Sequence, residues 1–232
     1  MNYIVDHIPK STPYNRRQGL VMKPEYITIH NTGNEKSTAQ NERNWLTNPT
    51  NDRQASFHIV VDENNAIECI PLNENAWACG DGFNGTGNRK SINIEICESG
   101  NYQKAVENAI KLTVELMNKY NIPIENVKRH FDWSGKICPR LMYDKGTWNT
   151  WKQFKQDLQK EVTKEKVVIA MSKYFKDVPQ SHWALNDIDA LKEKGVLAGK
   201  TDGTFGIGET IKREEVAVLI NRAIDYIIKN KV

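Results

Sequence analysis

Apolar and polar positions alternate over residues 25–31, with Ile27 and Ile29 on one side and Tyr26, Thr28 and His30 on the other. That period of two predicts a strand. The alternation returns over 91–97, where Ile92, Ile94 and Ile96 point one way and Asn93, Glu95 and Cys97 the other. Residues 57–62 and 66–70 read as two more strands, joined as a hairpin through Asp62-Glu63-Asn64-Asn65, and 127–130 as a last one. Between these runs the period changes to that of helices. A helix is predicted over 37–46 with Ser37 as its N-cap, followed by a loop at 48–52. A strongly amphipathic helix follows over 103–120, its stripe including Ala105, Ala109, Ile110, Leu116 and Met117, stopped by Asn121 and Pro123. Another over 147–162 carries Trp148, Trp151, Phe154 and Leu158. Residues 1–24, broken by Pro9, Pro13 and Pro24, read as an irregular arm over the domain. Strands alternating with long helices predict an α/β domain at 1–162, a central mixed sheet flanked by helices.

Residues 163–173 follow as a linker that starts with a charged connector, and the composition then changes. Over 174–228 a short all-α helix–turn–helix unit is predicted. Its first helix turns Leu185, Ile188 and Leu191 inward and stops at Gly195; a second starts near Ile211. About 55 residues make a small core, marginal on its own. The glycine-rich stretch 80–90 lacks a phosphate-binding loop's Gly directly before Lys-Ser, because Asn88-Arg89 intervene. It reads as a flexible rim loop, with no nucleotide site.

Composition narrows the class. A chain of 232 residues with 39% hydrophobic and 26% charged positions fits two unequal soluble domains. A net charge of +3 is too weak to argue for nucleic acid, though it favours an anionic polymer such as a cell-wall glycan. No apolar run approaches the roughly 18 residues of a membrane span, so no membrane anchor is expected. The first residues lack the basic head and apolar core of a signal peptide, so synthesis in the cytoplasm is expected. Four cysteines without a Cys-x-x-Cys pair are expected to be reduced thiols, three of them for packing.

Chemistry concentrates in two places a hundred residues apart. His30 ends one strand; His130 ends another, and Cys138 lies eight residues on, beyond a Ser134-Gly135 turn and just before Pro139. Two imidazoles and a thiolate suit zinc, with the fourth tetrahedral position left to water, which marks a catalytic rather than a structural site. Spacing alone leaves open whether the histidines are ligands or structural. Glu95 stands mid-strand, where Glu is depleted, so it needs a partner or a job. Trp77 leads into the glycine-rich stretch, either as an aromatic that stacks on a sugar or as an ordinary core tryptophan.

The blocks Ile27-Thr28-Ile29-His30-Asn31-Thr32, Ser56-Phe57-His58-Ile59-Val60-Val61-Asp62, Ser91-Ile92-Asn93-Ile94-Glu95-Ile96-Cys97 and His130-Phe131-Asp132-Trp133-Ser134-Gly135-Lys136-Ile137-Cys138-Pro139 stand in a specific order. Over about residues 20–160 this resembles the zinc-dependent N-acetylmuramoyl-L-alanine amidases, the group shared by phage endolysins, bacterial autolysins and peptidoglycan recognition proteins. The resemblance implies Zn2+ held by His30, His130 and Cys138, Glu95 as acid/base and Lys136 as electrostatic helper. Asn31 and Trp77 are the substrate-side candidates. Several relatives carry Tyr where this chain has Phe57, so the proton work falls to Glu95; His58 reads as a packing histidine.

From Tyr174-Phe175-Lys176-Asp177-Val178-Pro179 through Gly199–Gly206 to Ile211-Lys212-Arg213-Glu214-Glu215, the C-terminal unit resembles one S-layer homology repeat, a module that anchors proteins to secondary cell-wall polymer. The resemblance places Arg213 at the polymer, with Trp183 either assisting or anchoring the core, and Thr210 is expected to cap the helix in place of Lys212. A single repeat implies either docking on the amidase domain or a homo-oligomer through this module. The implied function is that of an endolysin acting on bacterial peptidoglycan after release from the host cytoplasm. The rivals are an autolysin of the same chemistry, a zinc peptidase and a non-catalytic peptidoglycan-binding protein.

Overall fold

The computed structural model describes residues 1–169 and 171–230 and divides into two compact units, Met1–Glu161 and Val162–Val232. The first is built on six strands: β1 (Asn2–Val5), β2 (Tyr26–Asn31), β3 (Ile59–Val61), β4 (Asn65–Glu68), β5 (Ser91–Ile96) and β6 (Val127–Arg129). Their order across the sheet is β1-β4-β3-β5-β2-β6. Among these six strands the β3–β4 hairpin is antiparallel and the other pairings are parallel, so the sheet is mixed, as expected. Helices α1 (Ala39–Thr47), α2 (Thr86–Lys90), α3 (Tyr102–Tyr120) and α4 (Phe131–Ser134) lie in this unit, and α5 (Asn149–Ile169) begins in it. Helix α1 packs on β3 and β4, α2 on β2 and β5, and α3 on β3 and β5.

Four local expectations change. The N-terminal arm is not wholly irregular: Asn2–Val5 pairs in parallel with β4. All four of its residues are exposed, so an edge strand held by backbone pairing leaves no alternation to read. Helix α1 is capped by Thr38, whose hydroxyl accepts the Asn41 N–H, rather than by Ser37. Helix α5 continues to Ile169 through the expected connector, since Thr163-Lys-Glu-Lys holds no Gly or Pro to stop it. The stretch 80–90 is tied down: the Asp81 carboxylate accepts the Gly87 and Asn88 N–H at 2.6 and 3.2 Å and starts α2.

The central strands are buried on both faces. Ile92, Ile94 and Ile96 are inaccessible, and so are Thr28, Ser91 and Asn93 on the other side. The polar side forms paired rungs across β2 and β5, Tyr26 with Ser91, Thr28 with Asn93 and His30 with Glu95. A buried polar row must satisfy itself. Thr28 and Ser91 share a hydrogen bond of 2.6 Å, and the Trp133 indole donates to Thr28 at 2.9 Å.

The second unit contains α6 (Leu185–Glu193) and α7 (Arg213–Lys229). Phe175, Val178 and Ile188 form its buried cluster, with Leu185, Leu197, Phe205 and Ile207 against it. Asp177 closes the turn region by accepting the N–H groups of Phe205, Gly206 and Ile207 at 2.7, 2.7 and 3.3 Å. Gly199, at φ +76°, leaves the room that the Phe175 ring fills.

Candidate active site

The parallel strands β2, β5 and β6 deliver their C-terminal ends to one place, where open α/β sheets present side chains to ligands. His30 stands opposite Glu95 in the register, and Arg129 opposes Ile29, so His130 emerges at the same level. After His130 the chain turns once through α4 and reverses at Gly135, φ +75°. The Phe131 N–H then donates to the Cys138 carbonyl at 3.0 Å, which returns the thiol to the histidines. The Asn31 N–H points at Cys138 Sγ from 3.5 Å.

One ligand atom from each of His30, His130 and Cys138 lies within 4.8 Å of the others, and all three residues are buried. The two Nδ1 atoms are 3.1 Å apart, and His30 Nδ1 is 3.8 Å from Cys138 Sγ. A tetrahedral zinc with bonds of about 2.0–2.3 Å sets its ligand atoms roughly 3.3–3.7 Å apart, so the three atoms fit such an ion. The other ring nitrogens point away from the cluster: His30 Nε2 meets Asn93 Oδ1 at 3.0 Å, and His130 Nε2 lies against the backbone at Gly80. Burial holds both imidazoles neutral, His130 down to about 4. Burial likewise pushes the Cys138 thiol up to about 12, so a cation is needed to ionise it.

Glu95 borders this cluster, its Oε1 3.9 Å from His30 Nδ1. Its Oε2 is buried with no hydrogen-bond partner. Burial raises its carboxyl to about 8, opposed by the charge of the exposed Lys136. Two supporting residues escape sequence reasoning. Glu98, buried, accepts from Gly33 N–H at 3.0 Å and from Arg140 Nε at 2.8 Å, joining the loop after β2 to the segment after Cys138. Neither position has a periodic signal.

Comparison with known proteins agrees with this geometry. Residues 20–141, more than half of the 232, match the N-acetylmuramoyl-L-alanine amidase family, and 174–217 match the S-layer homology domain. The amidase CwlH of Bacillus subtilis is 37% identical over 218 residues, covering 87% of this chain and 84% of that protein. The chain belongs to the N-acetylmuramoyl-L-alanine amidase family. The amidase CwlA of the same organism is 43% identical over 149 residues, 62% of this chain, and the chain spans about half of its length, 54%. The solved catalytic domain of XlyA superposes with a TM-score of 0.62 at 44% identity, covering 68% of this chain and 99% of that one.

Within the amidase unit the substrate-side candidates differ in availability. The Asn31 carboxamide turns inward: Nδ2 donates to the Tyr102 hydroxyl at 3.1 Å and to the Ile96 carbonyl at 3.4 Å, and Oδ1 accepts from Leu141 N–H at 3.0 Å. Trp77 is partly exposed, tilted against Phe83 at 6.0 Å, with its indole N–H buried and unpartnered. His58 places Nε2 2.8 Å from the Glu74 carbonyl and Nδ1 2.9 Å from the Asn93 N–H, the arrangement of a packing histidine.

In the S-layer homology module Trp183 is 88% exposed, so it does not anchor the core; Phe175 fills that role. Arg213 is exposed in the first turn of α7, and a groove of this module is lined by Lys200, Lys212 and Arg222 together with Glu209, Glu214 and Glu215, without Arg213 or Trp183. Thr210 lies outside the cap: α7 starts after Lys212, whose N–H donates to Glu215 at 2.9 Å. The N3 carboxylate thus satisfies one of the free N–H groups there. All four cysteines are free and buried, and no helix among the described residues is long and apolar enough to cross a membrane.

Proposed function

We propose that this chain is a zinc-dependent peptidoglycan hydrolase that cleaves the amide between N-acetylmuramic acid and L-alanine. The observation that carries the reading is the buried convergence of His30, His130 and Cys138 beside a carboxyl without a hydrogen-bond partner on Oε2, Glu95. His30, His130 and Cys138 would hold the zinc ion, which would supply Lewis acidity to water and to the scissile carbonyl. Glu95 accepts a proton from the attacking water and returns it to the leaving nitrogen, so the C–N bond breaks to a lactyl carboxylate and the free amine of L-alanine. Its burial and its unpartnered Oε2 leave this carboxyl free to take a proton and return it. Lys136 stabilises the negative charge that develops on the carbonyl oxygen. Trp77 is the aromatic we assign to the sugar, and Asn31 a tie that holds the segment after Cys138 in place.

Two rivals separate cleanly. A recognition protein without catalysis has no use for the complete His-His-Cys set, and a peptidase leaves the lactyl amide intact. In wall-lysis assays Glu95→Gln is expected to lose about 100- to 10,000-fold in rate while wall binding persists. Product analysis is expected to find new L-alanine amino termini. Lysis undiminished in this variant removes Glu95 as the base.

We assign the S-layer homology module to secondary cell-wall polymer, with the exposed Arg213 guanidinium as the group for an acidic substituent. Self-association fits the same module. No residue of α7 is buried, and Val216, Ile220, Ile224 and Ile227 leave an exposed apolar stripe along it.

A further inference from the structure

We propose that Asn93 and Cys79 are positioning residues that together fix both imidazoles with their Nδ1 lone pairs toward the metal. The orientation of the Asn93 amide is set first: its Nδ2 donates to the Ser91 carbonyl at 2.9 Å. Its Oδ1 is therefore the atom that faces His30 Nε2 at 3.0 Å and Cys79 Sγ at 2.9 Å. An amide oxygen only accepts, so His30 carries its proton on Nε2 and presents a bare Nδ1. His130 is placed likewise: its Nε2 lies against the backbone at Gly80, next to the Cys79 carbonyl, and its Nδ1 faces His30. The two Nδ1 atoms stand 3.1 Å apart. Two lone pairs at that separation repel each other, and a cation bound by both relieves that repulsion.

Cys79 serves both histidines, one through its thiol and Asn93, the other through its backbone. It is itself held by the loop expected to be a flexible rim. The Ala78 and Cys79 N–H groups donate to Asn88 Oδ1 at 2.9 and 2.8 Å, and Asn88 is fixed by Asp81 and by the Gly82 carbonyl. Gly87 passes so close that a Cβ there would sit 2.8 Å from Cys79 Sγ. All of Cys79, Asn88 and Asn93 are buried, so no solvent competes for these bonds. Partners of this kind, set behind the ligands, typically contribute 10–100-fold in metal affinity.

The affinity arm of the test rests on the zinc reading; the tautomer arm does not. In the full-length metal-free protein, long-range 1H–15N correlation of the imidazoles is expected to show His30 and His130 both as Nε2–H. Either one found as Nδ1–H overturns the inference. In competition with a chelator, Asn93→Leu is expected to bind zinc 10–100-fold more weakly, while Asn93→Asp, which keeps an acceptor, stays within a few-fold of the parent. Equal zinc affinity for all three overturns it as well. If the unaltered chain takes up no zinc, the zinc reading itself fails, and the tautomers measured without metal still decide the roles of Asn93 and Cys79.

Discussion

His58 carries no exposed surface and has both ring nitrogens against backbone groups; burial depresses it to about 4, opposed by its hydrogen bond to the Glu74 carbonyl. A histidine lowered in the fold contributes stability above its unfolded value of about 6.5, and that contribution is lost as pH falls toward 4. The loss over this window is on the order of 3 kcal/mol. Urea titrations from pH 7 to 4 are expected to show that decline in the parent chain and a shallower one in His58→Gln; equal slopes contradict it. At this scale the sequence was informative where a residue broke a rule. Glu95 declares itself as a carboxylate in an isoleucine strand, and His30 and His130 stand at the ends of strand runs, whereas Cys138 was placed by the family resemblance. Asn93 carries no such mark, because its work depends on which atom of the amide faces His30. Trp183 left two readings open, polymer contact or core anchor, and its 88% exposure removes the second.

Between elements, the stretch 80–90 shows where composition misleads. Glycines suggested a mobile rim, but Gly87 is there for close approach: a Cβ would meet Cys79 Cβ at 2.7 Å and the Trp133 ring at 2.9 Å. Gly87→Ala is expected to destabilise by about 1–3 kcal/mol, the cost of overpacking, measured by urea denaturation. Unchanged stability shows that the loop yields freely. Helix α3 was legible because one periodic face of it is buried, and β2 and β5 because isoleucines alternate with polar residues along them although both of their faces are buried. Strand β1, exposed at every position, was not legible, since only its pairing with β4 defines it. The extension of α5 past residue 162 was missed because charge was read as a boundary, although Lys and Glu are good helix formers.

At the scale of the whole chain, the N-terminal unit has a deep core and a complete candidate site, whereas the S-layer homology module buries few side chains and leaves Val216, Ile220, Ile224 and Ile227 of α7 exposed at 38–56%. Sedimentation of the full chain is expected to give a mass above one chain, reduced to one chain by Ile220→Glu with Ile224→Glu; a parent that sediments as a single chain contradicts self-association. The central claim is that one zinc ion sits between His30, His130 and Cys138 and is needed to cut the wall. The most direct measurement is metal content of the purified protein beside lysis of bacterial walls, before and after chelation. The account predicts one zinc per chain, lysis lost on chelation and restored by added zinc. Lysis that survives complete removal of metal contradicts it, as does protein that binds walls, holds no metal and cuts nothing.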